Sequence, residues 1–198
     1  IMSGIPDTYI EASFKGHRAI PGTYKLILTV GEKTVSTKAI ITENPLYEMQ
    51  SGQYLAYDNI MNTMEANLTA MHDMVNTLFN ANNQIKEIVS RLDAVKDEAL
   101  IKKGTPLIEH LTTWDEEMIQ RKSKAYDDVE NFPNKFTAEY IFLINQTESS
   151  IPRVNDQNRR RKFALDAQSS STLGLISLIP KNASFLDNPK KFSIPDVS

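Results

Sequence analysis

A seam of apolar residues at heptad spacing constrains this chain more than any other feature. Tyr57, Met61, Met64, Leu68, Met71, Val75, Leu78, Asn82, Ile85, Val89 and Leu92 follow one another at alternating steps of four and three. A helix packed along another helix gathers such a row into one stripe; a strand would scatter it over both faces. At ~1.5 Å per residue the row occupies roughly 50 Å of helix. So long a stripe must be covered, and the first question is whether its partners lie in the same chain. The stripe reports on packing, not on chemistry.

The apolar positions downstream supply partners. Lys102 and Lys103 suit the negative end of a helix dipole, and Gly104 suits a left-handed cap. Thr105 and Pro106 suit the start of a new helix. The spacing therefore predicts that the seam helix runs on through Val95 and Leu100, ends at Gly104, and returns antiparallel. A second helix carries Leu107, Leu111, Trp114 and Met118, with Ile108 and Ile119 widening its stripe. It fades over Arg121 to Lys124. The polar stretch Asp127 to Asn131 then leads to Phe132-Pro133. A third helix takes Phe136, Tyr140, Ile141, Leu143 and Ile144, and Ser149 to Pro152 break it. A fourth starts near Asn155 and reaches Ile179 ahead of Pro180, leaving a loop-like tail.

The first 45 or so residues have the other period. Tyr24, Leu26, Leu28 and Val30 alternate with Lys25, Ile27 and Thr29, as one face of a strand does. Gly31-Glu32 suits a two-residue hairpin turn, and Val35, Thr37, Ala39 and Ile41 mark one face of a second strand over Lys33–Thr42. A weaker strand is expected from Tyr9 to Phe14. So small a meander is marginal by itself. Its missing strands are expected upstream, or its open face packs on a neighbour. The predicted fold is α+β and mainly α. It has a partial Ig-like antiparallel β segment over 1–44, then an antiparallel bundle of about four helices with its tail over 45–198.

Composition narrows the function classes. The net charge of -3 gives no general attraction to nucleic acid. No apolar run approaches the ~18–20 residues of a membrane span. With no cysteine, disulfides, thiolate metal sites and a cysteine nucleophile are excluded. A chain opening Ile1-Met2-Ser3-Gly4-Ile5-Pro6 lacks signal-peptide character and reads as a piece of a longer one, with any signal peptide upstream. The sequons at Asn67, Asn145 and Asn182 are short enough to arise by chance, and Asn67 falls within the seam helix.

The chemistry-bearing residues point to structure. His17, His72 and His110 form neither Glu-x-x-His nor His-x-x-x-His pairs, so no metal site is assigned to them. The acidic groups Asp115-Glu116-Glu117 and Asp127-Asp128-Glu130 lack the order of a calcium loop and read as solvated faces. Asp115 or Glu116 can pair with Arg121 or Lys122. Arg159-Arg160-Arg161-Lys162, without interleaved aromatics, reads as a solvated face with ion pairs to the acidic stretches. The methionines Met49, Met61, Met64, Met71 and Met74 read as bundle core before partner groove. Asn82 in the seam can set helix register or sit beside a local gap. No catalytic, cofactor-binding or metal residue is assigned, and no cofactor.

The order of these parts resembles a known arrangement. The run Pro21-Gly22-Thr23-Tyr24-Lys25-Leu26-Ile27-Leu28-Thr29-Val30-Gly31-Glu32-Lys33-Thr34, then Asn44-Pro45, then a long helix, is similar to the C-terminal region of large bacterial proteins with sortilin-like, BNR-type β-propellers. Those proteins are often labelled glycosyl hydrolases. Asn131-Phe132-Pro133 matches a short joint before a helix in their bundles. The resemblance implies an Ig-like module followed by a helical bundle, in an extracellular, periplasmic or envelope-associated protein. Any active site would lie on the propeller. No Asp-box is present, and Thr112-Thr113-Trp114-Asp115 recapitulates one only superficially. The expected function is thus a non-catalytic structural or interaction region. The expected partners are the upstream propeller domain of the same parent chain or another protein subunit, with no nucleic acid and no membrane span. Two alternatives are an accessory part of a propeller-based glycoside hydrolase or peptidase, and a helical binding module for a protein partner.

Overall fold

The computed structural model describes residues 16–48, 50, 52–94, 96–149 and 153–176. Two strands, β1 (Gly22–Val30) and β2 (Lys33–Ile41), precede four helices: α1 (Gln53–Ala94), α2 (Glu98–Met118), α3 (Phe136–Ser149) and α4 (Asp156–Ile176). A 3₁₀ turn at Tyr126–Glu130 lies within the α2–α3 connection, where the sequence suggested only a polar stretch. The fold is α+β and mainly α, as expected. The weak strand at Tyr9–Phe14, Met49 and the end of the fourth helix at Ile179 lie outside the described residues.

The seam becomes the core of a helical bundle. Tyr57, Met61, Met64, Leu68 and Val75 are wholly buried and Met71 nearly so, while Leu78 packs against the same cluster. α1 is the spine, packing against both α2 and α3, and α4 packs on α3. α2 has only half the residues of α1, so it covers the C-terminal half of the seam. There the Asn82 amide donates to the Thr112 hydroxyl at 3.0 Å. α3 covers the other half with Phe136, Tyr140, Ile141, Leu143 and Ile144, and α4 adds Leu165. Two helices thus lie in series along one long helix, which is how a stripe longer than either partner stays covered. The buried Thr137 hydroxyl of α3 donates to the Met118 carbonyl at the end of α2, at 3.0 Å, so the last turn of one helix is closed by the first turn of the next.

The expected reversal at Gly104-Thr105-Pro106 is corrected by the structure. α1 stops at Ala94 and α2 runs uninterrupted from Glu98 through Gly104 and Pro106. Lys96 takes the left-handed conformation, φ 56°, and the Asp97 N–H donates to the Leu92 carbonyl at 3.1 Å, the six-to-one bond of a Schellman cap. The Asp97 carboxylate then accepts the Leu100 N–H at 3.2 Å and caps α2. Lysine at a left-handed position and aspartate at an N-cap is a weaker textual signal than Gly-Thr-Pro, which explains the misplacement. Gly104 serves another purpose: a Cβ there would lie 2.5 Å from Cγ2 of Val89, so glycine lets α2 approach α1 closely. Pro106 inside α2 leaves the Lys102 carbonyl without its usual i+4 donor.

The hairpin forms as expected. β1 and β2 pair antiparallel from Gly22↔Ile41 to Val30↔Lys33. A positive φ of 59° falls on Gly31, and Glu32 has none, the pattern of a type II′ turn. The register puts Tyr24, Leu26, Leu28 and Val30 of β1 on one face with Lys33, Val35, Thr37, Ala39 and Ile41 of β2.

Candidate functional site

Two features stand apart from the packed bundle. The first is the apolar face of the hairpin. Leu26, Leu28, Val30 and Val35 are 54%, 61%, 69% and 64% exposed. These residue types and this alternation belong to a face that is normally covered. On the opposite face Lys25 sits directly across from Lys38. Two like charges side by side are tolerated in water or against anions, but the same face also carries Ile27 and Ile40, 61% and 74% exposed, so it is mixed in character.

The second is a histidine held between two carboxylates, on the segment that leads into β1. Asp58 and Glu65 lie seven residues apart on α1, hence on one stripe beside the seam. His17 lies between them: Nε2 is 3.0 Å from Asp58 Oδ1, Nδ1 is 3.0 Å from Glu65 Oε1, and the His17 backbone N–H donates to the same Glu65 oxygen at 2.9 Å. The ring meets Tyr57 edge to face at 5.7 Å. Burial works against a charge on the imidazole, but hydrogen bonds to Asp58 and Glu65 and their negative charge outweigh it, and the pKa is raised. With an acceptor at each nitrogen, the imidazolium is the form that satisfies both. Each nitrogen faces its own carboxylate, which is an ion-pair geometry rather than the converging geometry of a metal site.

The other residues singled out in the sequence are placed as follows. His72 is buried in α1 and His110 is exposed on α2. Asp115 is nearly buried and forms a two-pronged pair with Arg121, with Oδ1 2.5 Å from Nη2; the guanidinium also lies 3.8 Å over the Phe79 ring. This pair closes over the end of α2 and is worth more than the surface pair the sequence suggested. Asp128 accepts the backbone N–H groups of Lys124 and Ala125 at 2.6 and 3.1 Å, which opens the 3₁₀ turn. Those two bonds hold its carboxyl below its ordinary pKa.

The basic run begins α4. Its Arg161 lies 3.7 Å from Glu139 of α3, and Lys162 reaches Asp166 at 2.6 Å. Asp166 in turn accepts from the Tyr140 hydroxyl at 2.8 Å and from the Asn67 amide at 3.1 Å, tying α1, α3 and α4 together. Burial raises the Tyr140 pKa, opposed by Asn67 and reinforced by Asp166. Asn67 therefore spends its amide inside the bundle, away from any glycan. Among the described residues no group of three or more histidine and acidic side chains is placed to hold a metal ion, and no helix is long and apolar enough to cross a membrane.

The clamp around His17 was not legible in the sequence. The spacing of Asp58 and Glu65 was visible, but their partner lies 41 and 48 positions away and enters through a loop. Comparison with protein-family models, curated proteins and solved structures returned no match.

Proposed function

We propose that this chain is a non-catalytic interaction region of a secreted or envelope-associated bacterial protein. Its bundle acts as a rigid brace, and its hairpin docks onto an Ig-like β domain or propeller domain of the same parent chain. The observation that carries this reading is the exposed apolar face of Leu26, Leu28, Val30 and Val35; the opposite face is mixed, with Lys25 and Lys38 beside the exposed Ile27 and Ile40. A lone two-stranded hairpin is marginal in water, and strands from an adjoining β domain would bury the apolar face and satisfy the open edges. The polar side chains of the bundle also favour a brace. Asp166, Asn67, Asn82 and Thr137 hold one element to another, and Asp115 fixes Arg121 over Phe79 of α1.

The test is calorimetric titration of the 198-residue chain with the separately produced preceding region of the parent. Binding is expected for the natural sequence, with loss of binding and unchanged helicity for Leu26→Lys combined with Leu28→Lys. Equal binding by the double variant would refute the docking role of this face.

A further inference from the structure

The segment before β1 joins the hairpin to the bundle through a short run of contacts. His17 is pinned to α1 by Asp58 and Glu65. Ile20 packs against the bundle core. The Tyr24 hydroxyl of β1 donates to the Ile20 carbonyl at 2.5 Å. The extensive contacts of β1 and β2 are with each other. On its N-terminal side the hairpin is therefore held to the bundle by this short tether, whose buried polar anchor is His17 with the more exposed Arg18–Glu148 pair beside it, while β2 leads on along the chain to α1.

We infer that the clamp of His17 between Asp58 and Glu65 is a proton-operated latch. It fixes the hairpin relative to the bundle while the imidazole is charged and frees it when the imidazole is neutral. The reason is the count of donors. The imidazolium donates to both carboxylates. Neutral imidazole has one N–H, so its other nitrogen turns a lone pair toward a carboxylate oxygen 3.0 Å away. One hydrogen bond becomes an acceptor–acceptor repulsion at a side chain only 10% exposed. The groups facing the ring reinforce this. From α1 come Asp58, Glu65 and Tyr57. Burial first and then Glu148 of α3 push the Tyr57 hydroxyl up to about 12, so it stays neutral across the working range. Glu148 is 3.9 Å from Arg18, whose charge lies next in sequence to His17. The raised pKa sets the sign: the latch is fully closed below the ordinary histidine value of 6.5 and opens as pH rises through the raised value. The latch stands apart from the docking reading, because it concerns how the hairpin is held and not what it meets.

The absence of cysteine makes the test direct. Dyes on Ser36→Cys of β2 and Ala70→Cys of α1, both exposed positions, report the hairpin–bundle distance by energy transfer. The expected result is one narrow distribution at pH 6 that broadens at alkaline pH, with the midpoint at the His17 pKa measured by NMR. His17→Gln should be broad at both pH values. Glu65→Gln, which keeps an acceptor for the His17 N–H but removes a charge, should move both midpoints down together. A His17 pKa at or below 6.5 would overturn the latch, as would transfer that is the same at both pH values or unchanged in His17→Gln. Circular dichroism of each variant at both pH values separates latch opening, which leaves the helices intact, from loss of the fold, which would also overturn the proposal.

Discussion

Replacing Gly104 by alanine tests how closely α1 and α2 approach. In an exposed helix interior this change stabilises by about 1 kcal/mol, because alanine surrenders less backbone freedom than glycine. Here the added Cβ would sit 2.5 Å from Val89 Cγ2, whereas carbon atoms pack best at ~3.5–4.0 Å. Something must yield by roughly 1 Å. Valine cannot easily rotate away, since its χ1 in a helix has one strongly preferred state. Overpacking of this kind costs about 1–3 kcal/mol. Both residues are half-buried, so the neighbours can relax in part and the lower part of that range applies. Gly104→Ala should therefore be neutral to about 1 kcal/mol destabilising. In a Val89→Ala background the obstructing methyl is gone, and the same change should stabilise by about 1 kcal/mol. The double-mutant cycle should show a coupling of about 1–2 kcal/mol between the two sites. Urea unfolding followed by helical circular dichroism measures it as shifts in midpoint at constant slope. Were Gly104 a helix-ending cap instead, alanine would be costly in both backgrounds and the coupling would vanish. Additivity of the two changes would refute the close approach.

Pro106→Ala should stabilise by about 1–3 kcal/mol by returning a donor to the Lys102 carbonyl inside α2, read by urea unfolding; a destabilised variant would place a helix start there. Asp115→Ala should cost about 2–3 kcal/mol in the same assay, because it leaves the Arg121 guanidinium over Phe79 without its carboxylate; a loss under ~0.5 kcal/mol would reduce the pair to a surface contact. Tyr140→Phe should cost about 1–2 kcal/mol by removing the hydroxyl that donates to Asp166, and hydrogen exchange should quicken in α4; unchanged exchange in α4 would show that the network does not hold it. Asp128 should titrate below its ordinary value of 3.8, since its folded pKa is lowered by the Lys124 and Ala125 N–H groups. Its stabilising effect is then present above that value and lost as pH falls through the lowered one, which carboxyl NMR can follow.

Where sequence and structure agree, the signal was periodic. The seam from Tyr57 to Leu92, the stripe of α3 and the alternation of β1 and β2 each repeat over several turns or residues, so each names its own element, and for the helices the buried stripe as well. The Gly31 turn was legible because its backbone conformation demands glycine. Where they differ, the signal was a single residue with two uses. Gly104 can end a helix or admit a neighbouring helix, and Pro106 can begin a helix or interrupt one. The choice belongs to Val89 across the interface and to the cap built by Lys96 and Asp97.

From the sequence alone came the long helix, its need for partners, the hairpin and the mainly α class. These follow from local periodicity, which any short window of chain carries in full. The tertiary structure decided that two helices in series cover the seam, that α2 begins at Glu98, and that Asp166, Tyr140 and Asn67 join three helices. It also decided that His17 meets Asp58 and Glu65, and that the hairpin's apolar face stays open. These depend on residues far apart in the chain meeting in space, and neither partner's local pattern contains the other.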